Sequence, residues 1–600
     1  MPRATSTRAR TLAITIAAAL AAVLAIIDLT AILLVVSGSQ KIVRLGFRVV
    51  RPHDVFGAAQ VDVVLWAIVV ALGWRHRVVR RAALACLAAT SLLTASIYCA
   101  QARQTFPIGD GALIQLYTLL ATKGKLVVGP YSRYGWHHPG PLYFWIAAPF
   151  FALANLKSAG LHLAVQCINA ASVIAAAWIA ARFASPQLVA ALLAGTVAYG
   201  WRAREILASL WNPHVSIMPT IALPVVCAAV ASGEVALIPL AVTLGSFIAQ
   251  TYVGLLPCAV GLCSMAIGAA MATSRIERGV WIDSKTWRVL HLTVWLLLIL
   301  WSGPLAEQLT HSPGNLTRLF HFFREAEGTP GTRDTLVAWA DNIAGTVLPG
   351  FRFNGGGPFS PSPAAWPIVY AAFLTVLLVP ASLVFRAKKH RFDAALAALL
   401  LVALVIGFWS TSRIVGLIPA YGLVWISGIG TFAACTVCAA AITYFTRASG
   451  WSSRPTWVVN AIWVGFALAY VTIVWQLPDN RDERLPREER DVSALFDDLQ
   501  VYLEKSGTRK PLFRIGRDMW AWTAGLGYQM QLAGRDFAVE KSAVFMFTDA
   551  FAPDGTEDAL VTIAPRSDHR AFETRQGDVL VGSAGFVEMH AVPLTPYTAR

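Results

Sequence analysis

Apolar runs of about twenty residues recur along most of this chain, separated by short clusters of arginine, and that pattern constrains the fold more than any single motif. A helix rises 1.5 Å per residue, so about 20 apolar residues are needed to cross the hydrocarbon of a bilayer. Such runs stand near 11–36, 57–74, 82–100, 161–181, 186–201, 214–232, 235–250, 253–272, 289–304, 366–385, 393–410, 418–443 and 457–477. They predict about thirteen spans. Only 14% of the 600 residues are charged and 56% are hydrophobic, whereas roughly a quarter are charged in water-soluble proteins. A soluble enzyme, a disordered chain and a coiled coil are thereby excluded. The expected fold class is an α-helical polytopic membrane protein followed by a small α/β domain.

The formal net charge of +15, from 49 Lys and Arg against 34 Asp and Glu, speaks for orientation rather than for nucleic acid. Basic residues collect in cytoplasmic loops, and the clusters at 75–81, 275–288, 386–391 and 447–454 are read that way. The N-terminus is then cytoplasmic, and outer loops fall at 101–160 and 304–363. The basic segment 40–56 goes against this scheme. Between residues 101 and 275 six apolar runs are found, but an even number of crossings cannot join an outer start to an inner end. The short aromatic run 141–154, preceded by His137, His138, Pro139 and Gly140, is expected to lie along the interface instead of crossing.

The chain divides into N-terminal spans (1–81), a transmembrane core (82–477), a charged, proline-containing linker (478–490) and an extracytoplasmic α/β domain (491–600). In the last part, helices are expected at 492–505 and 519–532, and strands at 512–515, 559–563, 578–581 and 586–591. All eight cysteines lie in apolar stretches. They read as small hydrophobic residues, not as disulfides or zinc ligands.

Candidate chemistry gathers on the outer side. Asp110, between Gly109 and Gly111, suits a general base or a cation ligand, or else a helix cap. The run from Gly129 to Trp145 brings together Arg133, His137, His138, Tyr143 and further aromatics. Cations and imidazoles donate to phosphate, and aromatic faces stack on sugar rings; an aromatic belt at the membrane interface is the other reading. Arg204, Glu205, Asn212 and His214 repeat the theme in the next outer loop, where Asn212 and His214 also suit helix capping. Asp28 and Asp62 are acidic residues inside predicted spans. The loop 304–363 is long enough to be functional.

With the first outer loop in view, the chain resembles the GT-C superfamily of integral-membrane glycosyltransferases, in the branch that holds protein mannosyltransferases and aminoarabinose transferases. The resemblance rests on Asp110 after an outward-going span, the helix-like run 112–120, and the segment His137-His138-Pro139-Gly140-Pro141-Leu142-Tyr143-Phe144-Trp145. That segment is similar to the family pattern Lys-Pro-Pro-Leu-Tyr-Tyr-Trp. It covers about 101–219. Two departures stand out: relatives carry Asp-Glu where this chain has Asp110-Gly111, and a second outer acid where it has Trp211-Asn212-Pro213-His214.

The resemblance implies transfer of a sugar from a polyprenyl-phosphate donor to a glycan, lipid or protein acceptor on the outer face of a plasma membrane. Asp110 would be the catalytic residue. Arg133, His137, His138, Tyr143, Arg204, Asn212 and His214 would bind the donor's phosphate and sugar. The only cofactor this reading admits is a divalent cation, with Asp110 as its ligand. Two other functions fit the composition. A lipid or solute transporter would place charges inside its spans, and a non-catalytic envelope scaffold would use the tail as an interaction module.

Overall fold

The computed structural model describes residues 2–36, 43–45, 48–50, 61–62, 65–66, 68–69, 77–446, 486–568, 571–572 and 577–594. The expected spans at 57–74 and 457–477, the basic loop at 447–454 and the linker at 478–490 lie largely or wholly outside those residues. The helices run α1 (Pro2–Val36), α2 (Arg77–Gln101), α3 (Gly109–Thr122), α4 (Leu142–Leu153), α5 (Ser158–Phe183), α6 (Pro186–Arg202), α7 (Ile217–Ala231), α8 (Ile238–Thr251), α9 (Leu256–Arg278) and α10 (Ser284–Leu300). They continue as α11 (Ser302–Thr310), α12 (Asn315–Glu325), α13 (Thr332–Ile343), α14 (Trp366–Ala387), α15 (Arg391–Ser412) and α16 (Trp425–Phe445). A two-stranded antiparallel pair, β1 (Val43–Leu45) and β2 (Arg48–Val50), falls inside the basic segment after α1.

Among the described residues, eight helices are long and apolar enough to cross a membrane, or nine if α10 and α11, bent by 53° at their junction, form one span. The protein is an α-helical membrane protein. Two further expected spans, α6 and α8, are helices of 17 and 14 residues, about 26 and 21 Å long at 1.5 Å per residue. The aromatic run forms α4, whose 12 residues make about 18 Å. That is well short of the ~30 Å of hydrocarbon.

Burial sorts the helices by position. In α7 every residue from Ile217 to Val230 is buried, and it packs against α5, α9, α15 and α16. A helix that is apolar all round belongs at the centre of a bundle. Helices α10 and α14 instead expose Trp287, Leu292, Trp295 and Ile299, and Val369, Phe373 and Val376. In a membrane these are the lipid-facing surfaces.

Two of the basic loops, at 275–288 and 386–391, meet at one end of this bundle. Arg391 at the start of α15 bonds Glu277 near the end of α9, 2.6 Å away. At the opposite end, the start of α9, the α10–α11 junction and the end of α15 converge on the segments 129–139 and 315–324.

The C-terminal domain begins with α17 (Arg487–Ser506) and contains β3 (Pro511–Ile515), α18 (Trp520–Leu532), β4 (Ala538–Val539), the single turn α19 (Val544–Phe547), β5 (Ala559–Pro565), β6 (Val579–Ala584) and β7 (Val587–Pro593). The sheet order is β4-β3-β5-β7-β6, with β3 parallel to β4 and β5 and the last two strands antiparallel. Central β5 is buried along nearly its whole length, as expected for a strand covered on both faces. The two-residue strand β4 is an addition to the sequence expectation; it is too short for an alternation to show.

Candidate active site

Helix α3 starts at a glycine with φ +55°, a left-handed conformation that costs glycine little. The chain can therefore turn sharply from Pro107 into the helix. Ile108 occupies the cap position without a side-chain cap bond, so Asp110 is not a cap. It stands in the first turn, where Oδ1 accepts a 2.6 Å hydrogen bond from the Tyr131 hydroxyl. Burial raises the Asp110 carboxyl above its ordinary value, and the Tyr131 bond opposes this in part. A desolvated carboxylate has a higher proton affinity, which suits a general base.

Tyr131 belongs to a hairpin spanning 129–138. It is tied by Gly129 N–H to His138 O (3.2 Å), His138 N–H to Pro130 O (2.8 Å) and Ser132 N–H to Trp136 O (2.8 Å). Gly129 is required because a Cβ there would stand 2.5 Å from the His138 oxygen and 2.7 Å from that of Gly140. The hairpin's tip presents Arg133 and Tyr134. Its far strand is held by Asn315 of α12, whose amide accepts from His137 N–H and donates to His137 O, each at 2.8 Å.

Both histidines are buried and neutral. Burial, and then the Arg318 charge, press His137 down to about 4; burial, and then His137, press His138 down to about 3. The single Tyr117 hydroxyl proton goes to the Met546 carbonyl at 2.6 Å, so its 3.3 Å contact with His137 Nε2 requires the imidazole to donate. His138 Nδ1 accepts from Val253 N–H at 3.1 Å, which puts its proton on Nε2. Each ring thus keeps one tautomer because its partner dictates it.

A cavity of about 850 Å³ opens over Asp110. Its wall includes Tyr131, Tyr134, Trp136, Phe144, Trp211, Tyr252, Trp301 and Tyr421, and the α12 side chains Leu316, Leu319, Phe320, Phe322 and Phe323. Its ionised groups are Asp110 and the arginines Arg133, Arg324 and Arg413. The two signs act on the same space: burial raises the Tyr421 hydroxyl, the Arg133 charge lowers it and the Asp110 charge raises it. Phe320 and Trp409 line the cavity yet are 63% and 51% exposed. Trp409 lies near the end of α15, a helix long and apolar enough to cross a membrane, so on that side the cavity opens at the surface of the bundle. The volume and the apolar wall with a few convergent polar groups are those of a ligand site.

Of the expected site residues, Asp110, Arg133, His138 and Asn212 line this cavity; the Asn212 amide also donates to Thr251 O at 3.0 Å. The other four are not on the wall. His137 is spent on Tyr117 and Asn315. The Tyr143 hydroxyl donates to Leu210 O at 2.8 Å. Arg204 is exposed, its guanidinium 5.6 Å from the Trp201 ring centroid. His214 is buried against Trp211, and neither ring nitrogen has a hydrogen-bond partner among the described residues. Glu205 is exposed and also off the wall.

Sequence reasoning did not single out Tyr131, Tyr421 or Arg413. Arg413 had a usable signal, because Ser410, Thr411, Ser412 and Arg413 form a polar cluster at the outer end of an apolar run. Among the described residues, no group of three His, Cys, Asp or Glu side chains could hold a metal ion. Asp110 is the single carboxylate on the cavity wall, and one of its oxygens is engaged by Tyr131. The donors therefore fit a divalent cation poorly, because such ions want several oxygen ligands.

No family model matches the chain, and no curated protein matches it. Among solved structures, the chain is similar to ArnT from Cupriavidus metallidurans bound to undecaprenyl phosphate. The two are 13% identical, with 84% of this chain and 97% of that one covered and a TM-score of 0.46. For the apo state of the same protein the figures are 13%, 85%, 98% and 0.44. A likeness this distant assigns neither substrate nor residue roles.

Proposed function

We propose that the protein is a membrane glycosyltransferase that moves a sugar from a polyprenyl-phosphate carrier to an acceptor on the outer face of the membrane. The observation that carries this reading is the cavity itself. It sits at the end of the bundle opposite the basic loops, opens at the surface of the bundle beside Trp409, and combines one desolvated carboxylate with three arginines and a wall of aromatic rings. By the positive-inside rule the basic end is cytoplasmic, which puts the cavity outside. The C-terminal domain lies on that side too, because it contacts α3.

In this reading the isoprenoid chain lies between Phe320 and Trp409, and its phosphate meets the arginines and the Nε2–H of His138. Sugar rings stack on the aromatic wall. Asp110 takes the proton of the acceptor hydroxyl as the acceptor oxygen bonds to the anomeric carbon. The bond from that carbon to the phosphate oxygen breaks, and the carrier phosphate leaves with the electron pair. Charge grows on the phosphate in this step, where fixed cations and donors stabilise it most. A neutral His138 can still donate, whereas His137 and Arg204 have no part. No step is routed through a divalent cation.

The test is mass spectrometry of envelope glycolipids and glycoproteins from a deletion strain carrying wild-type protein or Asp110→Asn. The wild type should restore a glycan that the deletion lacks. Removing a general base costs about 100-fold or more in rate, so Asp110→Asn should leave that glycan missing despite normal protein levels. Full restoration by the variant would overturn the reading.

A further inference from the structure

No described residue of the C-terminal domain lies on the wall of the cavity, yet the domain presses on both members of the hydrogen-bonded pair at its base. The Tyr131 ring meets Trp520 edge-on at 6.2 Å between centroids and Phe545 at 6.4 Å. The Trp520 ring also abuts the start of α3, where a Cβ on Gly109 would stand 3.4 Å from Trp520 Cη2. One indole therefore touches both the turn that carries Asp110 and the ring that bonds it. Nearby, Met546 O fixes the Tyr117 hydroxyl.

We propose that the C-terminal domain is a positioning part of the active site, with Trp520 and Phe545 as positioning residues that hold the Tyr131 hydroxyl on Asp110. This rests on the sugar-transfer reading and goes beyond it. Attachment alone does not account for the contact, because the domain is also fastened by hydrogen bonds that involve neither Asp110 nor Tyr131. Glu489 accepts from Phe106 N–H at 3.1 Å, Gln529 donates to Thr105 O at 3.1 Å, Lys123 donates to Gln531 at 3.1 Å and the Tyr528 hydroxyl donates to Leu156 O at 3.3 Å. Those bonds dock the domain on the segments around α3. The aromatic contacts go further and reach the Tyr131 ring itself. Tyr131 sits on a hairpin, not on a helix or in a sheet, so its ring needs side support to keep one rotamer.

The experiment uses the full-length protein in detergent, with the lipid-linked sugars extracted from its own membranes as donor pool. It compares Trp520→Leu, Phe545→Leu, Trp520→Phe, Tyr131→Phe, the double variant of Trp520→Leu with Tyr131→Phe, and Asp110→Asn. Trp520→Leu should lower kcat about tenfold with KM for the donor unchanged, and should move the acid limb of the pH–rate profile the same way as Tyr131→Phe. Added to Tyr131→Phe it should cost less than about twofold more, since residues that act through one another are not additive. Trp520→Phe should recover most of the rate.

Losses that multiply in the double variant, or a raised KM with kcat intact, would overturn the positioning role. So would a wild-type rate in Trp520→Leu while Asp110→Asn is inactive. An active Asp110→Asn overturns the sugar-transfer reading itself. If Trp520→Leu does not fold, Phe545→Leu carries the same test against the same outcomes.

Discussion

At the scale of single residues, the chemistry rests on how one carboxylate is held. Burial raises the proton affinity of Asp110, and the Tyr131 hydroxyl, which bonds the charged form, lowers it. Removing that hydroxyl must move the Asp110 pKa further up. In the proposed reaction the carboxylate form is the base, so Tyr131→Phe should shift the acid limb of the rate profile to higher pH, which initial rates measured across pH will show. His137 and His138 will not contribute such a limb near neutrality, because burial has pressed both to about 4 or below. The sequence presents these two histidines as donors to phosphate without fixing their charge. The structure makes them neutral, since a buried imidazole without a carboxylate partner loses its proton.

At the scale of elements, the 129–138 hairpin and α12 form the part of the site most sensitive to backbone change. Gly129→Ala would force a methyl to within 2.5 Å of one carbonyl and 2.7 Å of another. Overpacking of that kind costs about 1–3 kcal/mol, so a lower melting temperature in detergent and a lower transfer rate are expected. Gly135→Ala is the comparison. Nothing lies within 4 Å of its Cβ position, but its φ is +82°, a conformation that costs an L residue about 1–2 kcal/mol. Its loss should appear in stability with less effect on rate, because Arg133 and Tyr134 at the tip keep their surroundings. The hairpin's glycines are readable in the sequence as turn signals. The pair of hydrogen bonds between the Asn315 amide and the His137 backbone is not, because the two residues are far apart in the chain and no periodicity joins them.

At the scale of the whole molecule, the basic loops and the cavity occupy opposite ends of the same helices. Single-cysteine labelling of intact cells with a membrane-impermeant maleimide checks this polarity. Arg517→Cys, on an exposed turn of the C-terminal domain, should label, whereas Lys388→Cys, in the loop joining α14 to α15, should label only after the membrane is opened. Labelling in the reverse sense would place the cavity on the cytoplasmic side and overturn the proposed direction of transfer.

The sequence by itself determined the membrane character and the α/β tail, and it brought Asp110 forward as the candidate carboxylate, because apolar run length, alternation and the scarcity of charge are local properties. It also brought Arg133, His138 and Asn212 forward, since they stand beside proline and aromatic residues at the ends of apolar runs. Only the tertiary structure decided that Arg324 and Arg413 share a cavity with Asp110 and that Tyr143, His137 and Arg204 stand off its wall. It also decided that Trp520 and Phe545, some 400 residues further along the chain, back the Asp110–Tyr131 pair. Those relations depend on which helix ends and loops meet in space. Chain spacing carries no record of that, because packing between distant elements is set by the fit of whole surfaces.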